Sequence, residues 1–283
     1  MKGLLKSGPF LFVYSHMAIK KTLKQIAGNM GMQSALGDMY YCYQFLFNLL
    51  QNHSFKKQNP TIPIPPNREI FETFQLNYKR FFKDGELAAK ELANYYTSYA
   101  QKEDPYILDW GCGVGRITQF IPAIFPKSVC YGADILPKRI QWNRLHLPNI
   151  YFDVIEDQQL PYPSALFDLV LGISVFTHIA GNEQVLWLKE LYRITKPNAM
   201  IIFSTHGAAF IHQLNKQEQI EFNLNGYFTR YYKKAGHRMM TTYNSANHFQ
   251  QSIEHYFTVL EYYNGKSHPE KLGGQDLWIL RKQ

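Results

Sequence analysis

The chain has 283 residues, 46% of them hydrophobic and 18% charged, and a formal net charge of +8. That composition excludes a disordered or fibrous protein, and the length suits one enlarged domain or one domain with an appendage. Three scattered cysteines, Cys42, Cys112 and Cys130, make neither a disulfide framework nor a metal-ligand spacing, which fits a reducing cytoplasm.

The positive charge is concentrated at the start. Residues 1–60 hold Lys2, Lys6, Lys20, Lys21, Lys24, Lys56 and Lys57 against one acid, Asp38, a local charge of +6. Such an arm suits an anionic lipid surface, an acidic partner or nucleic acid, or it is a solvated face kept positive for solubility. No Arg-rich run or RNA-binding motif accompanies it, which argues against nucleic acid. The apolar stretch from Pro9 to Ile19 is too short to span a bilayer and lacks a small-x-small cleavage site, so weak membrane contact is a stronger expectation than a signal peptide. Tyr40 to Leu50 is too apolar to stand in water alone, so a helical, basic extension over 1–60 should pack on the main domain or on another protein. Asn59 to Asn67 reads NPTIPIPPN, whose prolines forbid a helix and favour an extended connector. The domain boundary is expected there, with 61–283 as the main domain.

Beyond the connector, Asp84 can cap a helix over about 85–100. From Tyr106 short apolar runs alternate with helical stretches. Strands are expected at 106–109, 129–134, 150–152, 167–175 and 199–205, with helices at 115–125, 138–147 and 183–194. This alternation implies an α/β, doubly wound, mostly parallel sheet covered on both faces. Two final runs, 256–263 and 276–281, have turn glycines and no helix between them, so they should pair antiparallel.

Three motifs carry chemistry. In the first, the apolar strand ending in Asp109-Trp110 runs into Gly111-Cys112-Gly113-Val114-Gly115. Glycine permits a tight turn and a close approach by a ligand, and a following helix would offer free N–H groups. The Gly-x-Gly-x-Gly order departs from the dinucleotide fingerprint. A carboxylate two residues before the first glycine would repel a pyrophosphate and attract an ammonium, as in the methionine end of S-adenosylmethionine. The second motif is Asp134, followed by Ile135, at the tip of the next strand. There an acid can accept hydrogen bonds from ribose hydroxyls, although it can also cap the helix that follows. Nicotinamide enzymes use the same device, so this acid points to adenosine without choosing the cofactor.

The third motif is Leu160-Pro161-Tyr162-Pro163 leading to Phe167-Asp168-Leu169-Val170, then Phe176-Thr177-His178, then Glu190, Arg193 and Lys196-Pro197-Asn198-Ala199. Together with the glycine turn, this resembles the class I S-adenosylmethionine-dependent methyltransferases, in the group with small-molecule and glycan-pathway acceptors. Pro-Asn-Ala stands where that family usually has Pro-Gly-Gly; asparagine tolerates positive φ, so the turn survives. The resemblance covers about 60–283 and leaves 1–60 unexplained.

The resemblance implies a seven-stranded Rossmann-like methyltransferase fold with its last strand antiparallel, and S-adenosyl-L-methionine as cofactor. It implies that Trp110, Gly111, Gly113 and Gly115 hold the methionine moiety with support from Asp109. Asp134 and Ile135 would hold the ribose end. Asp153, in competition with Glu156 and Asp157, would take the adenine amino group, and Ser174 and Val175 would lie beside the sulfonium. His178 and His206 follow the fourth and fifth strands, at the ligand edge. They are the candidate bases, His206 first, with an orienting hydrogen bond for His178 and a strand-end cap for His206 as the plainer alternatives. No H-x-x-x-H or paired-acid pattern calls for a metal. The Tyr- and Lys-rich stretch 225–247 should cover the acceptor. The expected reaction is methyl transfer to a small-molecule or glycan acceptor. A cofactor-binding, non-catalytic subunit and a nicotinamide-type oxidoreductase are the alternatives.

Overall fold

The computed structural model describes residues 33–73, 75–100, 102–232 and 240–283. The apolar stretch from Pro9 to Ile19 therefore lies outside the described residues. The chain divides into two compact units, 1–79 and 80–283.

In the first unit, α1 (Gln33–Gln58) is followed by the proline connector and α2 (Asn67–Thr73). Its limit falls beyond the connector, because residues 76–78 are tied back to α1. The Asn52 side chain donates to the Leu76 carbonyl at 3.1 Å and accepts from the Tyr78 N–H at 2.9 Å. Asn77 donates to Asn48 and Gln51, each at 2.9 Å.

The helix expected over 85–100 is α3 (Tyr78–Tyr99), which starts nearly two turns earlier. Asp84 is therefore not its cap; it faces Arg80 one turn back at 3.6 Å. Gly85 sits inside α3, where a Cβ would overlap the Arg116 carbonyl, so a helix-weakening residue is kept for close packing.

The second unit is built on a seven-stranded sheet. Its strands are β1 (Tyr106–Trp110), β2 (Val129–Asp134), β3 (Tyr151–Val154), β4 (Phe167–Gly172), β5 (Thr195–Thr205), β8 (Phe257–Tyr263) and β9 (Asp276–Lys282). The order is β3-β2-β1-β4-β5-β9-β8. The first five run parallel, while β9 pairs antiparallel with both β5 and β8. The sheet follows the expected topology, final hairpin included. Alternation along the strands sorts side chains into two cores. Leu108, Val170, Ile201 and Trp278 point to one face, covered by α6 (Gln184–Ile194) and α8 (Ala246–Ile253). Ile107, Leu169, Ile202 and Ile279 point to the other, covered by α3 and α5 (Pro137–His146). Leu188 and Leu191 of α6 are fully buried, each worth about 1.5–3 kcal/mol.

One expected helix is largely absent. Between 115 and 125 the chain makes turns, a 3-10 turn over Thr118–Phe120 and only the short α4 (Ile121–Ile124). Pro122 fixes where α4 can start, and Pro126 disfavours helical geometry at Phe125, where φ is −120° and ψ 80°. A full helix dipole at the glycine turn is therefore missing. At the other motif the turn expected at Pro197-Asn198-Ala199 is an irregularity inside β5, where the pairing with β4 shifts between Phe167–Thr195 and Leu169–Met200 and Asn198 has φ +63°.

Between β5 and β8 the chain adds α7 (Lys216–Asn225) and an antiparallel pair, β6 (Tyr227–Tyr231) and β7 (Met240–Asn244). A capping box of Asn215 and Glu218 starts α7, and Gly226 ends it in the left-handed conformation.

Candidate active site

The glycine turn leaves the carboxyl end of β1. Gly111, Gly113 and Gly115 all have positive φ, at +74°, +57° and +70°. The Gly111 and Cys112 N–H groups donate to the Ala133 carbonyl of β2, which folds the turn over the neighbouring strand. A Cβ at Gly111 would overlap the Val175 side chain, so the ends of β1 and β4 meet there. The backbone is thus held close to its surroundings at this turn.

Asp134 ends β2 and is buried. Its Oδ2 accepts from the Gly113 N–H at 3.0 Å and its Oδ1 from the Leu136 N–H at 2.9 Å. An ionised carboxylate has about four lone-pair sites, of which these two backbone bonds use two. The next residue, Ile135, leaves its apolar side chain 53% exposed, a surface suited to a purine face. Asp109 is buried and accepts a hydrogen bond from the Thr118 hydroxyl. Burial pushes its carboxyl up to about 6. The Thr118 hydrogen bond and the charge of Arg116 oppose that rise, and the like charge of Asp134 adds to it.

Trp110 is not a side-chain contact for a ligand. It shares the face of Leu108, and its indole is buried against Phe176 and Trp187, each with ring centres 5.2 Å away. Only its backbone reaches the turn. Asp153 lines an open cleft of about 710 Å³ with Arg144, Glu156, Gln159, Pro161 and Tyr162. Its carboxylate lies 3.5 Å from the Arg144 guanidinium and one residue short of the end of β3, whereas Glu156 lies two residues beyond that end. The two acids thus border one cleft from different depths. Burial pushes the Tyr162 hydroxyl well above its ordinary value, and the charge of Asp153 adds to this.

Ser174, just past β4, has φ +62°. Its N–H donates to the Ser204 hydroxyl at 2.8 Å, and the Gln275 amide bonds the hydroxyls of both serines. This network ties the ends of β4 and β5 to the start of β9. The hairpin strand β7 then crosses both strand ends. The His178 Nδ1–H donates to the Met240 carbonyl at 3.0 Å, which makes Nε2 the basic nitrogen of the neutral ring. The Thr242 hydroxyl donates to the Ile179 carbonyl at 2.7 Å, and the Asn244 N–H donates to the His206 carbonyl at 2.9 Å. Both candidate bases are therefore attached to one strand. The His206 ring stacks on Phe210 at 4.3 Å and tilts against Tyr243. Gly207 leaves no room for an acceptor, because a Cβ there would overlap the Asp276 carboxylate.

The cations of the covering stretch fare differently from the expectation. Arg230 is held by both oxygens of Glu218, at 2.8 and 2.5 Å, and by the Gln213 carbonyl. Lys233, Lys234, His237 and Arg238 lie outside the described residues. Among the described residues no three His, Cys, Asp or Glu side chains come together as a metal would need.

Much of the third motif is scaffolding. Glu190 accepts from the Leu160 N–H at 2.7 Å, and Arg193 donates to the Tyr162 and Leu160 carbonyls, so this pair clamps the Leu160-Pro161-Tyr162 segment. Asp168 accepts from Lys196, Lys102 and the Tyr106 N–H. Burial alone would raise its carboxyl; these three donors outweigh that and hold it below its ordinary value. Sequence reasoning missed Asn143, whose side chain donates to the Gly113 carbonyl at 2.9 Å, and Arg139, buried 3.8 Å from Asp134. The signal was there: Arg139 and Asn143 are polar residues one turn apart, flanking the buried Ile140 of α5.

Residues 108–203 match the profile of the methyltransferase-domain family. Over 138 residues the chain is 29% identical to a tRNA N(3)-methylcytidine methyltransferase of Schizosaccharomyces pombe, covering 46% of this chain and 55% of that one. Over 134 residues it is 31% identical to a malonyl-[acyl-carrier protein] O-methyltransferase of Erwinia billingiae, covering 46% and 49%. The chain thus spans about half the length of these two curated relatives. The crystal structure of a putative S-adenosylmethionine-dependent methyltransferase from Listeria monocytogenes shares the fold at a TM-score of 0.52 and 15% identity, over 71% of this chain and 99% of that one. The match over residues 108–203 is to a methyltransferase domain, and that family implies S-adenosyl-L-methionine as the cofactor.

Proposed function

We propose that this chain moves a methyl group from S-adenosylmethionine to a small-molecule or glycan-type acceptor. The observation that carries the cofactor half is the bond from the Gly113 N–H to Asp134, which joins a Cβ-free turn to a buried carboxylate at the ends of β1 and β2. In this reading the backbone from Trp110 to Gly115 receives the methionine end, and Asp109 supplies charge for the ammonium. Asp134 takes the ribose hydroxyls, Ile135 meets the purine, and Asp153 or Glu156 takes the adenine amino group. Ser174 and Val175 stand beside the sulfonium. When bound, S-adenosylmethionine supplies a methyl group already activated for transfer. The chain's own task is then to hold the acceptor in line and keep water out, the source of much of the rate in such reactions.

The acceptor half rests on β7 and the histidines beneath it. Asn244 is 1% exposed, and neither atom of its amide has a hydrogen-bond partner. Leaving such groups unpaired costs about 1–3 kcal/mol each, and a polyol or sugar hydroxyl would satisfy them. A tRNA acceptor, as in the name of the fission-yeast relative, is the second reading, and the net charge of +8 favours it. Release of S-adenosylhomocysteine should be measured with hydroxylated small molecules and sugars in one arm and total tRNA in the other. Turnover confined to the tRNA arm would overturn the small-acceptor reading.

Asp134→Ala should weaken S-adenosylmethionine binding by a few kcal/mol at most, since each charge-assisted hydrogen bond lost is worth about 1.5–3 kcal/mol. Calorimetric titration showing unchanged affinity would remove Asp134 from the ribose site.

Asp109 gives a pH signature. Its carboxyl, raised to about 6, is protonated in the free protein below that pH. An ammonium favours the ionised form, so affinity should rise with pH through about 6 and then level off. Between pH 7 and pH 5 it should fall roughly tenfold, one decade per pH unit below the pKa. Asp109→Asn should flatten this profile. The raised pKa also means that Asp109 favours the fold most at acid pH, a contribution lost as pH rises through about 6. The Asn variant should therefore melt no lower than the parent at neutral pH. A flat profile in the parent protein would place Asp109 in the turn alone.

A further inference from the structure

α1 is built inside out. Its inward side carries Gln44, Asn48 and Asn52, four residues apart, all buried. Asn48 donates to the Gln44 carbonyl and to its side-chain oxygen, and the ladder continues into Asn77. The aromatic side chains that flank it, Tyr40 and Tyr41, pack on Phe71. The outward side carries Met39, Tyr43, Leu46, Phe47, Leu49 and Leu50, with Leu46 68% and Leu50 82% exposed. At 100° per residue these six fall within an arc of about 160°. A polar seam thus holds the helix in its unit, and an apolar face looks outward.

We propose that this face docks on an anionic lipid surface. Residues 1–60 carry +6, and their single acid, Asp38, is already paired with Arg68 at 2.7 Å. Lys56 and Lys57 close the last turn of α1 itself. Apolar area and positive charge together are what hold a helix at an anionic interface. A second copy of this chain fits less well, because it would bring two arms of like charge together. A two-helix seam is also narrower than this arc and would leave Phe47 and Leu49 in water on its flanks. RNA would meet the charge but not the leucines, since nucleic-acid interfaces are polar. Among the described residues no helix is long and apolar enough to cross a membrane, so the contact is one with a surface. The proposal stands independently of the acceptor.

Cys42 provides the probe. It is exposed on α1, whereas Cys112 and Cys130 are buried, so a polarity-sensitive thiol dye should label Cys42 selectively. The full chain, labelled, should be titrated with phosphatidylcholine vesicles with and without phosphatidylglycerol, at low and high salt. The expected result is a blue shift and co-flotation with the anionic vesicles, weakened by salt as screening grows. The double variant Leu46→Gln/Leu50→Gln should bind at least about tenfold more weakly while keeping its helical circular dichroism, because both positions are exposed. An unlabelled flotation series guards against an effect of the dye. Failure of the full chain to bind anionic vesicles would overturn the proposal, as would unchanged binding by the double variant. A concentration-dependent dimer abolished by the same substitutions would assign the face to a second copy. A dye shift produced by tRNA and not by vesicles would assign the arm to nucleic acid.

Discussion

Gly111→Ala is expected to cost about 2–4 kcal/mol of stability and to weaken S-adenosylmethionine binding roughly 100-fold or more. Two penalties combine. The residue sits at φ +74°, where an L side chain is strained by roughly 1–2 kcal/mol. Its new Cβ would also overlap the Val175 side chain, and valine is stiff at χ1, so the neighbour cannot simply rotate away. The relief is a shift of the turn, which pulls the Gly113 N–H off Asp134 and spoils the proposed ribose and methionine subsites together. Gly111→Ala/Val175→Ala removes the overlap but leaves the φ strain, so it should recover about half of the lost stability. Thermal melts with and without cofactor, together with calorimetry, read both effects. Normal affinity in the single variant would mean that the turn is not where the cofactor approaches.

The second large effect is on turnover. With a hydroxyl acceptor, His206→Ala should lower kcat about 10²–10⁴-fold, the usual range for a lost general base, while S-adenosylmethionine affinity stays nearly unchanged. His206 follows β5, its carbonyl is held by the Asn244 N–H, and its ring is fixed against Phe210. In the proposed reading the positioned imidazole takes the proton of the acceptor hydroxyl. The acidic limb of the pH profile should disappear in the variant. His178→Ala is the control. Its ring is anchored through Nδ1 to the Met240 carbonyl of β7, so its loss should disturb the hairpin and raise KM as well as lower kcat. Full turnover in His206→Ala, or loss of cofactor affinity instead, would remove His206 from the role of base and leave it as the cap of a strand end.

The local features of this protein are written in its sequence, because they depend on neighbours within one window. Short apolar runs at 106–109 and 129–134 sufficed for β1 and β2, and the absence of a helix between 263 and 276 sufficed for the antiparallel ending. The Gly-x-Gly-x-Gly turn and Asp134 were legible for the same reason: each needs a residue type at a stated distance from a strand end. Pro122 and Pro126 were equally local, and the helix expected at 115–125 ignored them. What only the tertiary structure decided are the pairings across distance. Gly207 looks like room for an acceptor until Asp276, far along the chain, is seen to occupy that space. Trp110 looks like part of the ligand turn until strand alternation carries its indole into the core. Glu190, Arg193 and Asp168, prominent in the family-like motif, clamp a loop and a strand end. Tyr40 to Leu50 announced that an apolar helix needed cover. Which side it buried was set by Asn48 and Asn52 finding Asn77 and the backbone of Leu76 and Tyr78. A hydrogen bond of that kind needs two partners in one place, and only the folded chain brings them together.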